Sequence, residues 1–207
     1  INDIKETDRF RTYPPVGVIP HNTYVKGNYL VTSYYANGVI INDISDPHTI
    51  VEVGNYDTSA LLNNNFNGCW GVYPYLPSGL FLASDMEEGL FILKPSFIQA
   101  AFIEGKVISN FGFDIPDVSV TILEDLNTAV KTNFSGKYKT GIGTSGEKAV
   151  VFYKYGFEPD TIKVNFVNGE TMEVNVTLNQ KQPFAVDFTV VDAISKKIIP
   201  DAKIDIK

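Results

Sequence analysis

Short apolar runs separated by polar turns make up most of this chain. From His21 onward, β-branched and aromatic residues dominate the runs, and glycine, asparagine, aspartate or proline interrupts them about every eight to twelve residues. This spacing is typical of short strands joined by turns, and we find no window with the period of an amphipathic helix. The best short helical candidate is PSFIQAA at 95–101, at a predicted domain junction. The pattern predicts an all-β fold.

One strand–turn–strand unit occurs twice in the first half. NYLVTSYYANGVIIND at 28–43 aligns with GLFLASDMEEGLFILK at 79–94, an offset of 51 residues that places Gly38 over Gly89. Each copy consists of an apolar strand, a short polar turn that ends in glycine, and a second apolar strand. The two copies therefore predict two β-hairpins of the same design.

The segments before the two copies also resemble each other. HNTYV at 21–25 and CWGVYP at 69–74 each precede a short loop and then a repeat strand. A β-repeat of about 40 to 50 residues is typical of the blades of a β-propeller, which come in closed sets of four to eight. We therefore predict that residues 1–97 form about two blades, the C-terminal part of a partial β-propeller.

A second repeat has a longer period. IPDVSV at 115–120 matches IPDAKI at 199–204 at an offset of 84 residues. The match predicts one β-sandwich domain at 98–180 and the first strands of a further, truncated domain at 181–207.

Composition and charge exclude some classes of function. The chain has 207 residues, 44% of them hydrophobic, a net charge of −7 and only two arginines, Arg9 and Arg11, so we expect no nucleic-acid partner. No apolar run has the length of a membrane span. Cys69 is the single cysteine, which excludes an intrachain disulfide. The chain begins at Ile1 without a signal peptide, and we expect it to be an internal piece of a longer protein.

Residues 15–95 resemble the C-terminal blades of the choice-of-anchor B family, whose propeller repeats are of the LVIVD type. The segments HNTYV, SYY-x-x-G, DISDP and GCWGVYP occur in the family's order. The resemblance implies an exported protein of the bacterial cell surface, often from Bacteroidetes. In that group such proteins are commonly substrates of the type IX secretion system.

Residues 100–180 resemble a carboxypeptidase-regulatory-like domain, which has an immunoglobulin-like or transthyretin-like β-sandwich fold. The matching segments are IEGKV at 103–107, PDVSV at 116–120, TNFSGKY at 132–138 and YGF at 155–157. Asp117 replaces the family's usual glycine and Asn133 its usual aspartate. Domains of this family are accessory modules, and the resemblance does not imply peptidase activity.

GIGTSG at 141–146 has the spacing of a dinucleotide-binding motif. Such a motif needs a helix whose N-terminus meets the pyrophosphate. The following segment, EKAVVFYKYGF at 147–157, is β-branched and aromatic and predicts a strand instead. Lys148 does not directly follow Gly146, so the Walker spacing is also missing. We predict a hairpin loop here and no bound cofactor.

Cys69, His21 and Asn22 include the residue types of a papain-like catalytic site. The repeat places His21 and Cys69 at similar positions in adjacent blades. Cys69, however, precedes Trp70 in a strand-like run, where a buried, inert thiol is the usual case. We predict no catalytic residues, and we expect His21 to anchor a loop or lie in a blade core rather than bind a metal.

Asp85, Glu87 and Glu88 are the best candidates for a calcium site, because Ca²⁺ prefers several oxygen ligands. The dense D-x-D-x-D-G pattern of a calcium loop is missing, and DMEEG at 85–89 also fits a solvated hairpin tip. We therefore predict no metal site, with calcium at these carboxylates as the alternative. Asp46-Pro47 is predicted to end a strand, with the aspartate capping a turn.

Two surface features complete the candidates. Eight tyrosines fall in the first half, and they predict either aromatic cross-strand packing or a surface that binds glycans or proteins. Asp160-Thr161-Ile162 fits a short pattern for O-glycosylation in Bacteroidetes, which makes Thr161 a candidate modification site.

These observations favour a non-enzymatic, exported cell-surface module for binding, adhesion or display. The alternative is an accessory part of a secreted hydrolase whose catalytic domain lies outside this chain. Two blades alone would expose sheet edges, which pair readily with other strands. We therefore expect the remainder of its own propeller, another protein chain or the secretion machinery to cover the open blade edge.

Overall fold

The fold is all-β in the part of the chain that the structure, a computed structural model, describes: residues 3–12, 17–60, 66–182 and 188–203. Within those ranges there is no helix, so none that could span a membrane. The strands are β1 (Asn22–Lys26), β2 (Tyr29–Ser33), β3 (Val39–Asp43), β4 (Val51–Tyr56), β5 (Cys69–Tyr73), β6 (Phe81–Asp85), β7 (Gly89–Leu93), β8 (Ala101–Ser109), β9 (Ser119–Ile122), β10 (Asp125–Lys131), β11 (Lys137–Ile142), β12 (Gly146–Tyr153), β13 (Asp160–Phe166), β14 (Thr171–Glu173) and β15 (Val176–Leu178).

The first seven strands form two antiparallel meanders. Strands β1 to β4 pair in sequence order as sheet A, and β5 to β7 pair in sequence order as sheet B. HNTYV and CWGVYP form the first strand of each sheet, β1 and β5, as their resemblance predicted.

The repeated hairpins have the same turn. In sheet A the amide of Tyr34 donates to the carbonyl of Gly38, and in sheet B Asp85 pairs with Gly89, so three residues lie between each closing pair. Both glycines have a positive φ, 71° and 91°, which an L-residue rarely adopts. The offset of 51 residues found in the sequence is therefore also the structural register.

Sheets A and B share one hydrophobic core. The core includes Val31, Val39 and Ile41 from sheet A and Phe81 and Ala83 from sheet B. Alternate residues of a strand point to opposite faces, so each sheet contributes one of its two faces.

The two sheets contribute opposite faces of the repeat. In β2, the backbone groups of even-numbered residues bond to β3, as the amide of Tyr34 does directly after the strand. The side chains of the odd-numbered residues face sheet B. In β6 the even side bonds to β5, as the amide of Met86 does to Gly68, and the odd-numbered residues face sheet A. Residues whose backbone groups bond to the same neighbouring strand have their side chains on the same face of a sheet. The face that sheet A turns to sheet B is therefore the opposite face of the repeat from the one that sheet B turns to sheet A. The two sheets thus pack front to back.

The prediction that 95–101 is the best candidate for a short helix is wrong. This segment has no regular secondary structure up to β8, and tertiary contacts hold it. The ring of Phe97 lies 4.8 Å from that of Tyr29 and 5.9 Å from that of Phe81. The amide of Ala100 donates to Asp43 Oδ2 at 2.7 Å. An amide that bonds to a distant carboxylate is not available for a local helix.

The second half consists of two sheets packed face to face. One sheet has the order β10-β9-β12-β13, and the other has β11-β8-β14 with β15 also on β8. Their shared core includes Ile103 and Val107 from the second sheet and Val120, Phe152 and Phe166 from the first. Two layers around one core are the arrangement expected of a sandwich.

The motif residues Gly105 and Tyr138 meet at one backbone carbonyl. Strand β8 pairs in parallel first with β14 and then with β15, and Val174 lies in the break between these two strands. A Cβ at Gly105 would stand 2.0 Å from the carbonyl oxygen of Val174, so only glycine fits. The hydroxyl of Tyr138 donates to the same oxygen at 2.8 Å, and burial raises the pKa of this phenol.

The GIGTSG segment is a loop that leads from one sheet of the second half to the other and packs against sheet A. The predicted hairpin loop is wrong, because β11 pairs with β8 whereas β12 pairs with β9 and β13. Gly141 lies in β11 next to its last residue, Gly143 lies in the loop, and β12 begins at Gly146, so the strand predicted after the motif is confirmed. A Cβ at Gly143 would stand 2.6 Å from the carbonyl oxygen of Glu52 in β4. The glycines thus permit close approach of two backbones.

A cation also connects the two halves. Lys139 Nζ lies 2.9 Å from Asp46 Oδ2, 3.3 Å from Glu104 Oε2 and 5.4 Å from the ring centre of Phe102. Burial would raise the pKa of Asp46, but the hydrogen bonds from Lys139 and from the amide of His48 outweigh it and hold that pKa below its usual value. Asp46 caps its turn as predicted.

The last described residues, 188–203, contain one isolated bridge between Val191 and Ile198. The predicted match IPDAKI at 199–204 extends beyond the described residues at its last position. The further domain at 181–207 therefore remains a prediction.

Candidate functional site

An exposed indole lies at the start of sheet B because of a β-bulge. Cys69 pairs with Asp85 and Gly71 with Ser84, so Trp70 is the extra residue of β5. A bulge redirects the side chain that it carries. Trp70 is 48% exposed, and its ring lies 4.2 Å from that of His21 in a tilted stack.

Three tyrosines form a second group of rings, and Tyr73 lies on the same strand as Trp70. We define the two groups together, His21, Tyr24, Trp70, Tyr73 and Tyr75, as the aromatic surface. The ring of Tyr75 lies 6.0 Å from Tyr24 and 5.7 Å from Tyr73, with the planes close to perpendicular in both pairs. Its hydroxyl donates to the carbonyl of Val25 at 2.6 Å, which fixes the ring. Tyr73 is 48% exposed. The predicted tyrosine-rich surface thus consists of rings that contact one another and keep access to solvent.

An apolar sheet face adjoins the aromatic surface. We define the outer face of sheet B as the side that points away from sheet A. Tyr73, Leu82 and Ile92 form one cross-strand row on it, and Leu90 stands opposite Ser84 in the next. Leu90 and Ile92 are each 65% exposed. Contiguous exposed apolar surface is a feature of interaction sites.

The residue types of a papain-like site do not meet as a nucleophile and base. Cys69 is fully buried, its thiol lies 3.6 Å from the carbonyl oxygen of Gly71, and burial, followed by the nearby charge of Asp85, raises its pKa to about 11. A thiol with that pKa is protonated at neutral pH and is a poor nucleophile. His21 instead stacks on Trp70 and contacts Tyr35 edge-on. Asn22 begins β1, where its amide lies 3.2 Å from the Ser33 hydroxyl.

The three calcium candidates belong to a hairpin that uses its carboxylates locally. Asp85 Oδ1 accepts the amides of Glu87 and Glu88, each at 3.0 Å, and its Oδ2 accepts the hydroxyl of Thr58 at 2.7 Å. Glu87 accepts the amide of Gly68. Asp85 is buried, so the interpretation of DMEEG as a wholly solvated tip is wrong for this residue. Among the described residues, no three His, Cys, Asp or Glu side chains are placed to hold a metal ion.

A polar cleft of about 800 Å³ lies where β4 meets the loop before β10. Its charged lining residues are Glu52, Asp57, Glu124 and Asp125, which are all acidic. Burial and then the charge of Asp125 raise the pKa of Glu52, against a hydrogen bond from Asn55 that lowers it. The electrostatics favour a hydrogen-bond donor or a cation over an anion.

Thr161 lies in β13 with an exposed side chain, where a modifying enzyme can reach it. Its neighbour Asp160 accepts the Thr161 amide at 2.8 Å. The exposure is compatible with the predicted modification, which remains a prediction.

Sequence reasoning missed the outer face of sheet B. Leu90 and Ile92 belong to the repeat that the sequence revealed, and their alignment with the apolar Val39 and Ile41 gave no reason to expect a different exposure. The outward position of Trp70 was also missed, because a bulge has no signal in a single strand sequence. An alternating count along β7 would have placed Leu90 and Ile92 on one face.

No protein-family model and no curated protein matches the chain. Solved structures with low similarity to it include the following two. GBS52, the minor pilin in the gram-positive pathogen Streptococcus agalactiae, is 11% identical with a TM-score of 0.34, and the match covers 56% of this chain and 66% of the pilin. The Bacillus anthracis TIE protein has the same identity and TM-score, with 86% of this chain and 42% of that protein covered. The chain thus spans less than two thirds of either protein, and this similarity does not establish a common fold.

Proposed function

We propose that this chain is a non-enzymatic module of an exported cell-surface protein that binds other macromolecules or displays a binding surface. The observation that supports the proposal most strongly is the aromatic surface together with the adjoining outer face of sheet B. Trp70 and Tyr73 supply large rings with a polar group at one end, which is the chemistry of binding hot spots. Both rings are half exposed although the sheet below them is well packed.

The arrangement of the sheets supports the finer assignment of the fold. Sheets A and B repeat at an offset of 51 residues and pack front to back, as successive blades of a β-propeller do. The two-layer second half suits an immunoglobulin-like or transthyretin-like sandwich that holds the blades away from the cell. The resemblances to the choice-of-anchor B and carboxypeptidase-regulatory-like families favour this order and export by a type IX secretion system.

The non-enzymatic part of the proposal rests on how the reactive groups are used. Cys69 is a buried, protonated thiol, and the carboxylate of Asp85 is occupied by a hydroxyl and two amides. Neither group is available for nucleophilic or acid–base chemistry at a solvent-accessible position. The alternative, an accessory part of a secreted hydrolase, assigns the same module a targeting role.

The open side of sheet B supports a protein partner. Within the described residues, β7 pairs only with β6, so its other side presents backbone groups that can extend the sheet. The remainder of a propeller, another chain or the secretion machinery would satisfy them.

Removal of the aromatic surface tests the binding function. We expect Trp70→Ala/Tyr73→Ala to reduce binding of the labelled chain to a panel of immobilised glycans and cell-surface proteins at least about tenfold, since hot-spot aromatic residues contribute that much. Tyr153→Ala is the matched control, because Tyr153 is 52% exposed on β12 in the second half. Equal binding by the double variant and the control would contradict the proposal.

Immunolabelling of unpermeabilised source cells tests export separately. The proposal expects label on intact cells, which protease treatment of those cells removes. Label only after permeabilisation would contradict the assignment to the cell surface.

A further inference from the structure

The repeat gives the residues of β2 and β3 partner positions in β6 and β7 of sheet B. With the closing pairs Tyr34–Gly38 and Asp85–Gly89 superposed, Ile41 corresponds to Ile92. By the same offset, Val31 and Val39 correspond to Leu82 and Leu90. The apolar face that sheet A turns to sheet B is therefore repeated, with apolar residues, on the outer face of sheet B.

The corresponding positions have opposite exposure. Val39 and Ile41 are 2% and 8% exposed, because sheet B covers them. Leu90 and Ile92 are each 65% exposed. The same face of the same unit is thus a buried interface in one copy and open surface in the other.

The face of sheet B that packs against sheet A also has a recognisable composition. Sheet B contributes Val72, Phe81 and Ala83 to the shared core, and Phe91 and Leu93 pack against it. Along β6, the aromatic Phe81 and the small Ala83 alternate with the less buried Leu82 and Ser84. The residues of sheet A that correspond to Phe81, Ala83 and Phe91 are Leu30, Thr32 and Ile40. Each unit therefore carries one face that receives a neighbour and one that covers a neighbour.

The covering face of sheet A is already occupied. Thr32, Ile40 and Asn42 are buried, and residues 9–12 and 17–20 line one crevice with Tyr34, which shares their side of the sheet. A second copy of this chain could present this covering face to sheet B only by displacing that segment. A sheet of the same repeat whose covering face is free is therefore the better-matched occupant.

We propose that the outer face of sheet B is a docking site for a third β-sheet of the same repeat, supplied by polypeptide outside these residues. The partner presents alternating aromatic and small side chains, as Phe81 and Ala83 do, and packs them against Leu82, Leu90 and Ile92. This inference rests on the proposed binding function and names its partner, an antiparallel sheet rather than a glycan.

A cyclic peptide tests this site with the intact 207-residue chain. The probe is residues 79–95, closed by a second tight turn so that the β6–β7 hairpin keeps its register. In NMR titration of the isotope-labelled chain, we expect saturable shifts at Leu82, Leu90 and Ile92. The same peptide with Phe81→Lys and Phe91→Lys is the control probe and should give no such shifts.

The matched protein variant is Leu90→Lys/Ile92→Lys. It should raise the Kd for the peptide at least about tenfold, because burial of one aliphatic side chain already contributes that much. The control variant Leu126→Lys, also at an exposed apolar residue, should bind as the parent does. Shifts elsewhere, an unchanged Kd in the double variant, or no saturable shifts would overturn the proposal.

The double variant also reports on its own folding. We expect its Tm to stay within about 3 °C of the parent, as for other surface substitutions. Unfolding of the variant would mean that this face is already used within the chain, which also overturns the proposal. If the peptide does not bind but the binding that depends on Trp70 is intact, the proposed function stands and only this partner is removed.

Discussion

Lysine at position 41 is expected to unfold the first half of the chain, whereas lysine at position 92 leaves it folded. Ile41 and Ile92 occupy the same place in the repeat, but only Ile41 is covered. Ile41→Lys buries an unpaired ammonium and removes an aliphatic side chain from the core, which costs about 4 kcal/mol or more. Ile92→Lys replaces an exposed side chain, which changes the free energy of unfolding by about 0.5 kcal/mol or less.

Urea denaturation followed by Trp70 fluorescence and by circular dichroism measures this difference. Trp70 reports on sheet B, and the dichroism reports on all strands. Ile41→Val serves as the control for side-chain shape and should cost about 1 kcal/mol. Equal destabilisation by the two lysine variants would show that the outer face of sheet B is not free surface and would remove the basis for a docking site there.

Asp43→Ala is expected to lower the free energy of unfolding by about 3 kcal/mol. Asp43 is fully buried, and its two carboxylate oxygens accept the amides of Ser45 and Ala100, each at 2.7 Å. Alanine leaves both amides without an acceptor, and hydrogen bonds to a charged group contribute about 1.5 to 3 kcal/mol each before partial replacement by water. The loss also frees the segment that leads from sheet B to β8.

The matched control is Asp57→Ala. Asp57 is exposed and accepts one local amide, that of Ser59. Its replacement should cost less than about 1 kcal/mol. Thermal unfolding of both variants, with hydrogen exchange at Ala100, checks the assignment. A cost for Asp43→Ala no larger than that of the control would mean that water replaces the carboxylate without loss.

The sequence predicted the features that depend on residues close together in the chain. Alternation and turn residues predicted the hairpins of sheets A and B, and the alignment of Gly38 with Gly89 indicated the register that the backbone hydrogen bonds confirm. The strand after GIGTSG was predicted for the same reason, since its β-branched residues excluded a helix. These features depend on neighbours within a few residues.

The features that the sequence could not predict depend on distant partners. The non-helical path of 95–100 is held at Ala100 by Asp43, more than fifty residues earlier. Gly105 and Tyr138 both serve the carbonyl of Val174, which neither motif contains. The exposure of Leu90 and Ile92 is likewise a property of what lies beside sheet B, not of β7 itself.

Photo-crosslinking in source cells tests the central claim most directly, namely that the outer face of sheet B is a binding surface in the native protein. A photoreactive residue replaces Ile92 in the full-length protein, with Tyr153 as the control position. Irradiation of intact cells should give crosslinks at position 92 to a peptide with alternating aromatic and small residues, and none of this kind at 153. No crosslink at 92, or the same products at both positions, would contradict this claim.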